Sequence, residues 1–174
     1  MHYCEQCGFD YDSVSPAQVP GVLGFIGEAF RAGLAGADVA ALRRRPRPEV
    51  WSALEYACHV RDVLLLQRER LYLALVEDGP TFASLHRDER VILAHYNDQD
   101  PKAVENQIAV AAKLAAGAFA QLDDVQWRRP LIYNWPEPDQ EEDLRWLAAH
   151  TIHEGRHHLE DFAAVLGGHP PGGR

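Results

Sequence analysis

The sequence has little cysteine, almost no lysine and no long hydrophobic run. Three cysteines in 174 residues cannot build a disulfide framework. The start, MHYCEQCGFDYD, is too polar and acidic for a secretory signal. Together these predict a reduced, cytoplasmic protein. No apolar stretch approaches the ~20 residues of a membrane span, so no membrane association is expected. Positive charge is scarce: 17 Lys plus Arg stand against 26 Asp plus Glu, a net charge of -9. That balance argues against phosphate-driven nucleic-acid binding. Alternating β-branched and aromatic residues joined by hairpin turns are also missing, which leaves β-structure little support.

The residues that are present describe an ordinary globular chain, 47% hydrophobic and 25% charged. Its length suits one domain with a sizeable core. Two skews stand out. Arginine outnumbers lysine 15 to two, which with abundant Ala and Gly points to a GC-rich bacterial genome. Four of the nine histidines crowd into positions 150 to 158.

Periodicity predicts four long helices. The first runs from Pro16 or Pro20 to Gly36, with Val22, Leu23, Ile26, Phe30 and Leu34 on its apolar face and Ser15 as a cap. An arginine-rich loop, 43–48, follows and reads as a solvated linker. The second helix, from about Glu49 to Glu77, is apolar on more than one side and should lie deep in a bundle. Gly79-Pro80 ends it, and the connection 81–100 carries a short helix near Asp88 to His95. Asp100-Pro101 opens the third helix, which continues to Leu122. An irregular stretch, 123–138, is rich in Trp and Pro. The last helix starts near Asp139, with Glu141, Glu142 and Asp143 at its positive end. Gly167-Gly168 stops it before a fraying tail. The connection between helices two and three is long enough to cross a bundle, which lets those helices run parallel.

The histidine cluster carries the chemistry. His153 and His157 sit four apart, one helical turn, so both imidazoles can reach one metal ion. A further ligand must come from another helix, and His59 in the second helix is the candidate. Taken alone, a histidine among apolar residues is a satisfied core residue; opposite an i, i+4 pair it reads as a ligand. His150 could face the same cavity, while His158 points about 100° away from His157. Residues 153–157 also spell H-E-x-x-H, the zinc peptidase signature with Glu154 as base. Only 17 residues follow His157, which leaves little room for a downstream third ligand.

Two runs resemble a known family. Trp51-Ser52-x-x-Glu55-x-x-x-His59-x-x-Asp62 resembles the second helix of the DinB-like superfamily, which includes mycothiol-dependent maleylpyruvate isomerases and bacterial thiol S-transferases. His153-Glu154-x-x-His157-His158-x-x-Asp161 resembles the end of its last helix. The resemblance covers about residues 16 to 166. It implies an all-α, up-down-down-up four-helix bundle with a divalent metal on three histidines: His59, His153 and His157. In the isomerase branch one ligand can be a glutamate, so a shifted register, Glu154 with His158, stays open.

Three protein ligands leave a tetrahedral metal one open position. In a thiol transferase it takes the thiol of a small cofactor and keeps it as thiolate, the nucleophile. The expectation is therefore a metal-dependent thiol S-transferase, with zinc, nickel or iron, acting on a small-molecule thiol such as mycothiol and an electrophile. Glu154 and Arg61 are its candidate catalytic residues, and Asp62 or Glu55 could orient a ligand imidazole. The bland reading of Arg61, Asp62 and Glu154 is as ion-paired or surface groups. Rival readings are a non-catalytic metal- or ligand-binding bundle, which could pair as a homodimer, and the H-E-x-x-H peptidase. Cys58 reads as a small core residue. Cys4-x-x-Cys7-Gly8 is half of a zinc knuckle, lacking two ligands. The domain plan is a C-x-x-C extension, 1–15, a bundle, 16–168, and a flexible tail, 169–174.

Overall fold

The computed structural model describes residues 2–134 and 138–169. Four long helices form the bundle: α1 (Val19–Gly36), α3 (Ala53–Val76), α5 (Pro101–Phe119) and α6 (Leu144–Leu166). Two short helices, α2 (Val39–Arg43) and α4 (Arg87–Leu93), lie in the connections. None of the described helices is long and apolar enough to cross a membrane.

Three of the long helices, α3, α5 and α6, begin where side-chain chemistry satisfies their free N–H groups. The Ser52 hydroxyl accepts from Glu55 N at 3.2 Å, and the Glu55 carboxylate accepts from Ser52 N at 2.7 Å, a reciprocal capping box that opens α3. Asp100 accepts from Lys102 N and Ala103 N to open α5, with Pro101 in its first turn. Asp143 does the same for α6, accepting from Arg145 N and Trp146 N. α6 therefore starts five residues later than the acidic run suggests.

Residues 140–143 are instead a strand, β5 (Gln140–Asp143), paired antiparallel with β4 (Pro130–Tyr133); β4 pairs parallel with β3 (Thr81–Phe82). Leu131 and Tyr133 point inward from β4, a period-two pattern only four residues long. Such a strand is too short to read by periodicity, and one partner lies about 50 residues away in sequence.

α1 packs on α5 and α6, and α3 packs on the same two helices. Side-chain pairs fix the directions. The start of α3 meets the start of α5 through Ser52–Asn97 and Arg61–Gln107, so the two run parallel. His59 faces Glu154, while Gln67 and Arg70 reach Tyr133 just before α6, so α3 and α6 are antiparallel. Gly27 lies on Ala112, and Arg31 on Glu105, which makes α1 antiparallel to α5. Ile26 meets Gly155 and Gly33 meets Phe162, so α1 and α6 are parallel. The order is up-down-down-up, as the sequence leads one to expect.

The N-terminal segment folds back as a hairpin of β1 (Tyr3–Cys4) and β2 (Phe9–Asp10). Phe9 and Tyr11 bury their rings in the same core as the bundle. The arginine loop is also anchored: Arg45 grips the buried Glu55 with two hydrogen bonds, at 2.8 and 2.5 Å. His169 N donates to Ala164 O at 2.9 Å; the rest of the expected tail, 170–174, lies outside the described residues.

Candidate metal centre

α3 and α6 bring three donors together. His59 Nε2 lies 3.4 Å from Glu154 Oε2, and His158 Nε2 lies 3.7 Å from the same oxygen. The ligand atoms of His59, Glu154 and His158 all fall within 4.8 Å of one another. Glu154 and His158 are four apart, so one helical turn places both on the face that meets α3. The rings of Trp51 and Tyr56 wall the site, at 5.1 Å from His59 and 5.4 Å from His158.

The donor set fits a divalent cation. His158 Nε2 is buried with no hydrogen-bond partner, while its Nδ1 is 3.0 Å from Asp161 Oδ2. That is the carboxylate–imidazole arrangement that orients a metal-binding histidine. Electrostatics agree for two of the three donors; burial works to lower His158 as well, but Asp161 and Glu154 raise it. Burial works to raise the Glu154 carboxyl, yet the imidazoles of His158 and His59 hold it well below the ordinary carboxylate range. Burial lowers His59, favouring the neutral imidazole that binds metals.

The centre opens into a cavity of about 80 Å³ lined by His59, Glu154, His150, Arg70, Arg87 and Tyr133 among others. The Tyr133 hydroxyl accepts from Arg70 Nη1 at 2.6 Å and from Gln67 Nε2 at 3.0 Å. His150 stacks on Trp146 with centroids 4.8 Å apart, and burial depresses it to about 4.

The residues singled out by sequence divide between different places. His59, Glu154 and His150 line this cavity. His153 and His157 do not converge with His59; their ligand atoms gather with those of Cys4 and Cys7. The register that joins the three bundle donors is the shifted one, Glu154 with His158. Arg61 lies away from the cavity, donating to Asp62, Gln99 and Gln107 and so tying α3 to α5. Asp62 accepts from Arg61, Arg90 and Tyr96, and Glu55 from Arg45 and Ser52; the carboxylate that meets a histidine of the cluster at 3.0 Å is that of Asp161, on His158. Cys58 is buried in the core, its thiol donating towards Tyr96 O and pushed up to about 12 by burial. Arg70, Arg87 and Tyr133 were not anticipated. Arg70 carried a signal: His59, Val63, Gln67 and Arg70 follow one face of α3 at helical spacing.

The fold is thus a four-helix bundle that carries a buried imidazole–carboxylate cluster able to hold a cation on its second and last long helices. The chain belongs to the DinB superfamily, whose family model matches residues 26–162. Its fold is similar to that of YfiT from Bacillus subtilis, described as a probable metal-dependent hydrolase with an unusual four-helix bundle topology. The TM-score is 0.79 at 15% identity, over 88% of this chain and 89% of YfiT. It is also similar to a histidine-to-alanine variant of the mycothiol-dependent maleylpyruvate isomerase, with a TM-score of 0.66 at 14% identity over 90% of this chain. The match spans 62% of the isomerase. No functionally curated protein matches the sequence.

Proposed function

We propose that the chain is a metal-dependent thiol S-transferase. In this reading His59, Glu154 and His158 hold a divalent cation, and the cavity brings a small thiol such as mycothiol to a small electrophile. The observation that carries it is the convergence of those three donors, from two helices, with two of them, His59 and Glu154, on the cavity wall. Three protein ligands rather than four leave a cation able to take one more. A cation there would lower the pKa of a thiol that reaches it and so supply the nucleophile. Mixed imidazole and carboxylate donors accept zinc, nickel or iron.

The chain's own residues do the rest. Glu154 acts as the anionic ligand, not as a free base, and Asp161 fixes the ring of His158. Arg70 and Arg87 place positive charge on the cavity wall, which suits an anionic electrophile or a thiol bearing a carboxylate. Burial raises the Tyr133 hydroxyl, so it stays protonated and can donate to a substrate oxygen. No cysteine is among the described residues that line the cavity, and in this reading the attacking thiol is brought in from outside the chain. The likeness to the mycothiol-dependent isomerase supports a thiol partner.

Hydrolysis is the second reading, supported by the likeness of the fold to YfiT, described as a probable metal-dependent hydrolase. Turnover with and without thiol separates the two.

The test incubates the protein with mycothiol and a fluorogenic alkyl halide and follows thiol loss. Chelation, or His158→Ala, should cut turnover by more than about 100-fold, beyond what outer-shell changes cost. Undiminished turnover in either case sinks the proposal. Metal binding without any turnover would leave a binding bundle in its place.

A further inference from the structure

The bundle centre leaves His153 and His157 without a task, and the N-terminal knuckle without its second pair of ligands. We propose that Cys4, Cys7, His153 and His157 form a separate, structural zinc site that clamps the N-terminal hairpin onto α6.

The four side chains come from opposite ends of the sequence, yet their ligand atoms all lie within 4.8 Å of one another. Tetrahedral zinc at the usual Zn–S and Zn–N lengths holds its donors roughly 3.3–3.8 Å apart. Modest side-chain adjustment therefore closes the set.

The ring nitrogens show what is missing. His153 Nε2 and His157 Nδ1 are both buried without a hydrogen-bond partner, and His153 is only 4% exposed. Of their other nitrogens, that of His153 is hydrogen-bonded and that of His157 has a longer contact with a carboxylate. The Tyr11 hydroxyl lies 2.9 Å from His153 Nδ1, and Asp161 Oδ2 lies 3.8 Å from His157 Nε2. These are the outer partners that metal-binding imidazoles use. A buried ring nitrogen without a partner is unfavourable, so two facing a pair of thiols is a poor arrangement unless a cation joins them.

The hairpin is shaped for the purpose. Cys4 and Cys7 flank a tight turn in which Gly8, at φ +70°, donates its N–H to Cys4 O at 2.8 Å. Both cysteines are free thiols. Strands of two residues do not hold a hairpin together in water, and here burial anchors it at Phe9 and Tyr11, with Cys4 and Cys7 packed half-buried against the same core. Two thiolates balance the charge of Zn²⁺, so the closed site is neutral and tolerates its half-buried place. Four protein ligands leave no open position, which makes the site structural rather than catalytic.

The clamp bears on the bundle centre through α6. The pair 153/157 and the pair 154/158 are offset by one residue, about 100° around the helix. Fixing the first pair sets the rotation that presents the second to His59.

The test uses the full chain, metal-stripped and then loaded with Zn²⁺ or Co²⁺. The zinc-loaded wild type should hold about two equivalents and Cys4→Ser/Cys7→Ser about one. His157→Ala should lose the same equivalent, and His59→Ala the other. Cobalt-loaded wild type should show thiolate-to-cobalt charge-transfer absorption with intense tetrahedral visible bands, retained in His59→Ala. That retention separates this site from the proposed bundle centre. Cobalt-loaded wild type without thiolate absorption overturns the proposal, whatever the variants do. So does Cys4→Ser/Cys7→Ser binding as much zinc as wild type, or recovery of Cys4 and Cys7 as a disulfide.

Discussion

His157 and His158 are adjacent in sequence, yet their rings stand 5.3 Å apart at 89° and face different partners. His158 turns to His59 and Glu154, and His157 to the side of α6 that meets Cys4 and Cys7. Asp161, one turn further on, touches both: 3.0 Å from His158 Nδ1 and 3.8 Å from His157 Nε2.

Asp161→Asn keeps the shape of that contact but removes its charge. Loss of the outer carboxylate should weaken metal binding at the bundle centre by about 10–100-fold. Competition with a chromophoric chelator measures it. Unchanged affinity would mean that Asp161 does not orient His158.

Much of this arrangement could be read from the chain. The helical periods gave four helices, the length of the 81–100 connection let the middle two run parallel, and the resemblance to the DinB-like superfamily implied the full order. His59 and the 153–158 cluster were recognisable because histidines are rare on buried helical faces. The register was not. H-x-x-x-H at 153/157 and E-x-x-x-H at 154/158 have the same period, and nothing local says which face of α6 meets α3. Deciding it takes Phe9, Tyr11 and the hairpin, which cover the 153/157 face through contacts about 140 residues apart in sequence. Glu141 and Glu142 misled for a related reason. Their charge suits a helix start, but pairing with β4 keeps them extended and moves the cap to Asp143.

Two glycines of α1 make a matched pair. An added Cβ at Gly24 meets nothing within 4 Å, whereas at Gly27 it falls 2.4 Å from Ala112 Cβ on α5. Gly24→Ala should therefore stabilise by about 0.5–1 kcal/mol, the ordinary helix-interior gain. Gly27→Ala should destabilise by about 1–3 kcal/mol, because α1 and α5 must separate. Urea melts of both variants check the sign. A stabilising Gly27→Ala would mean that the two helices do not pack this closely.

Arg45 is the arginine that the basic loop spends on structure. Its guanidinium is the partner of the Glu55 carboxylate, 2% exposed, inside the capping box of α3. Arg45→Ala leaves that carboxylate without its counter-charge, so stability should fall by about 1–3 kcal/mol. Arg47→Ala, two residues on and exposed, should change it by less than about 0.5 kcal/mol. Equal effects would return the whole loop to the status of a solvated linker.

Asp62 should make the fold acid-sensitive. Burial works to raise its carboxyl, but hydrogen bonds from Arg61 Nε at 2.8 Å, Tyr96 Oη at 2.6 Å and Arg90 Nε at 3.0 Å together hold it below the ordinary carboxylate value. A carboxyl depressed by folding binds fewer protons in the native state than in the unfolded chain. Stability therefore rises with pH across the window between the two values. The contribution is fully present above the unfolded value of about 3.9. It is lost as pH falls through that value towards the lower, folded one. Asp62→Asn removes the charge at every pH and should cost about 1–3 kcal/mol near neutrality. Urea midpoints of wild type and variant should converge on acidification from about pH 5 to pH 3. A gap that stays constant over that range would mean that the three donors do not hold Asp62 ionised, and that the junction of α3 with α4 and the Tyr96 turn rests on packing instead.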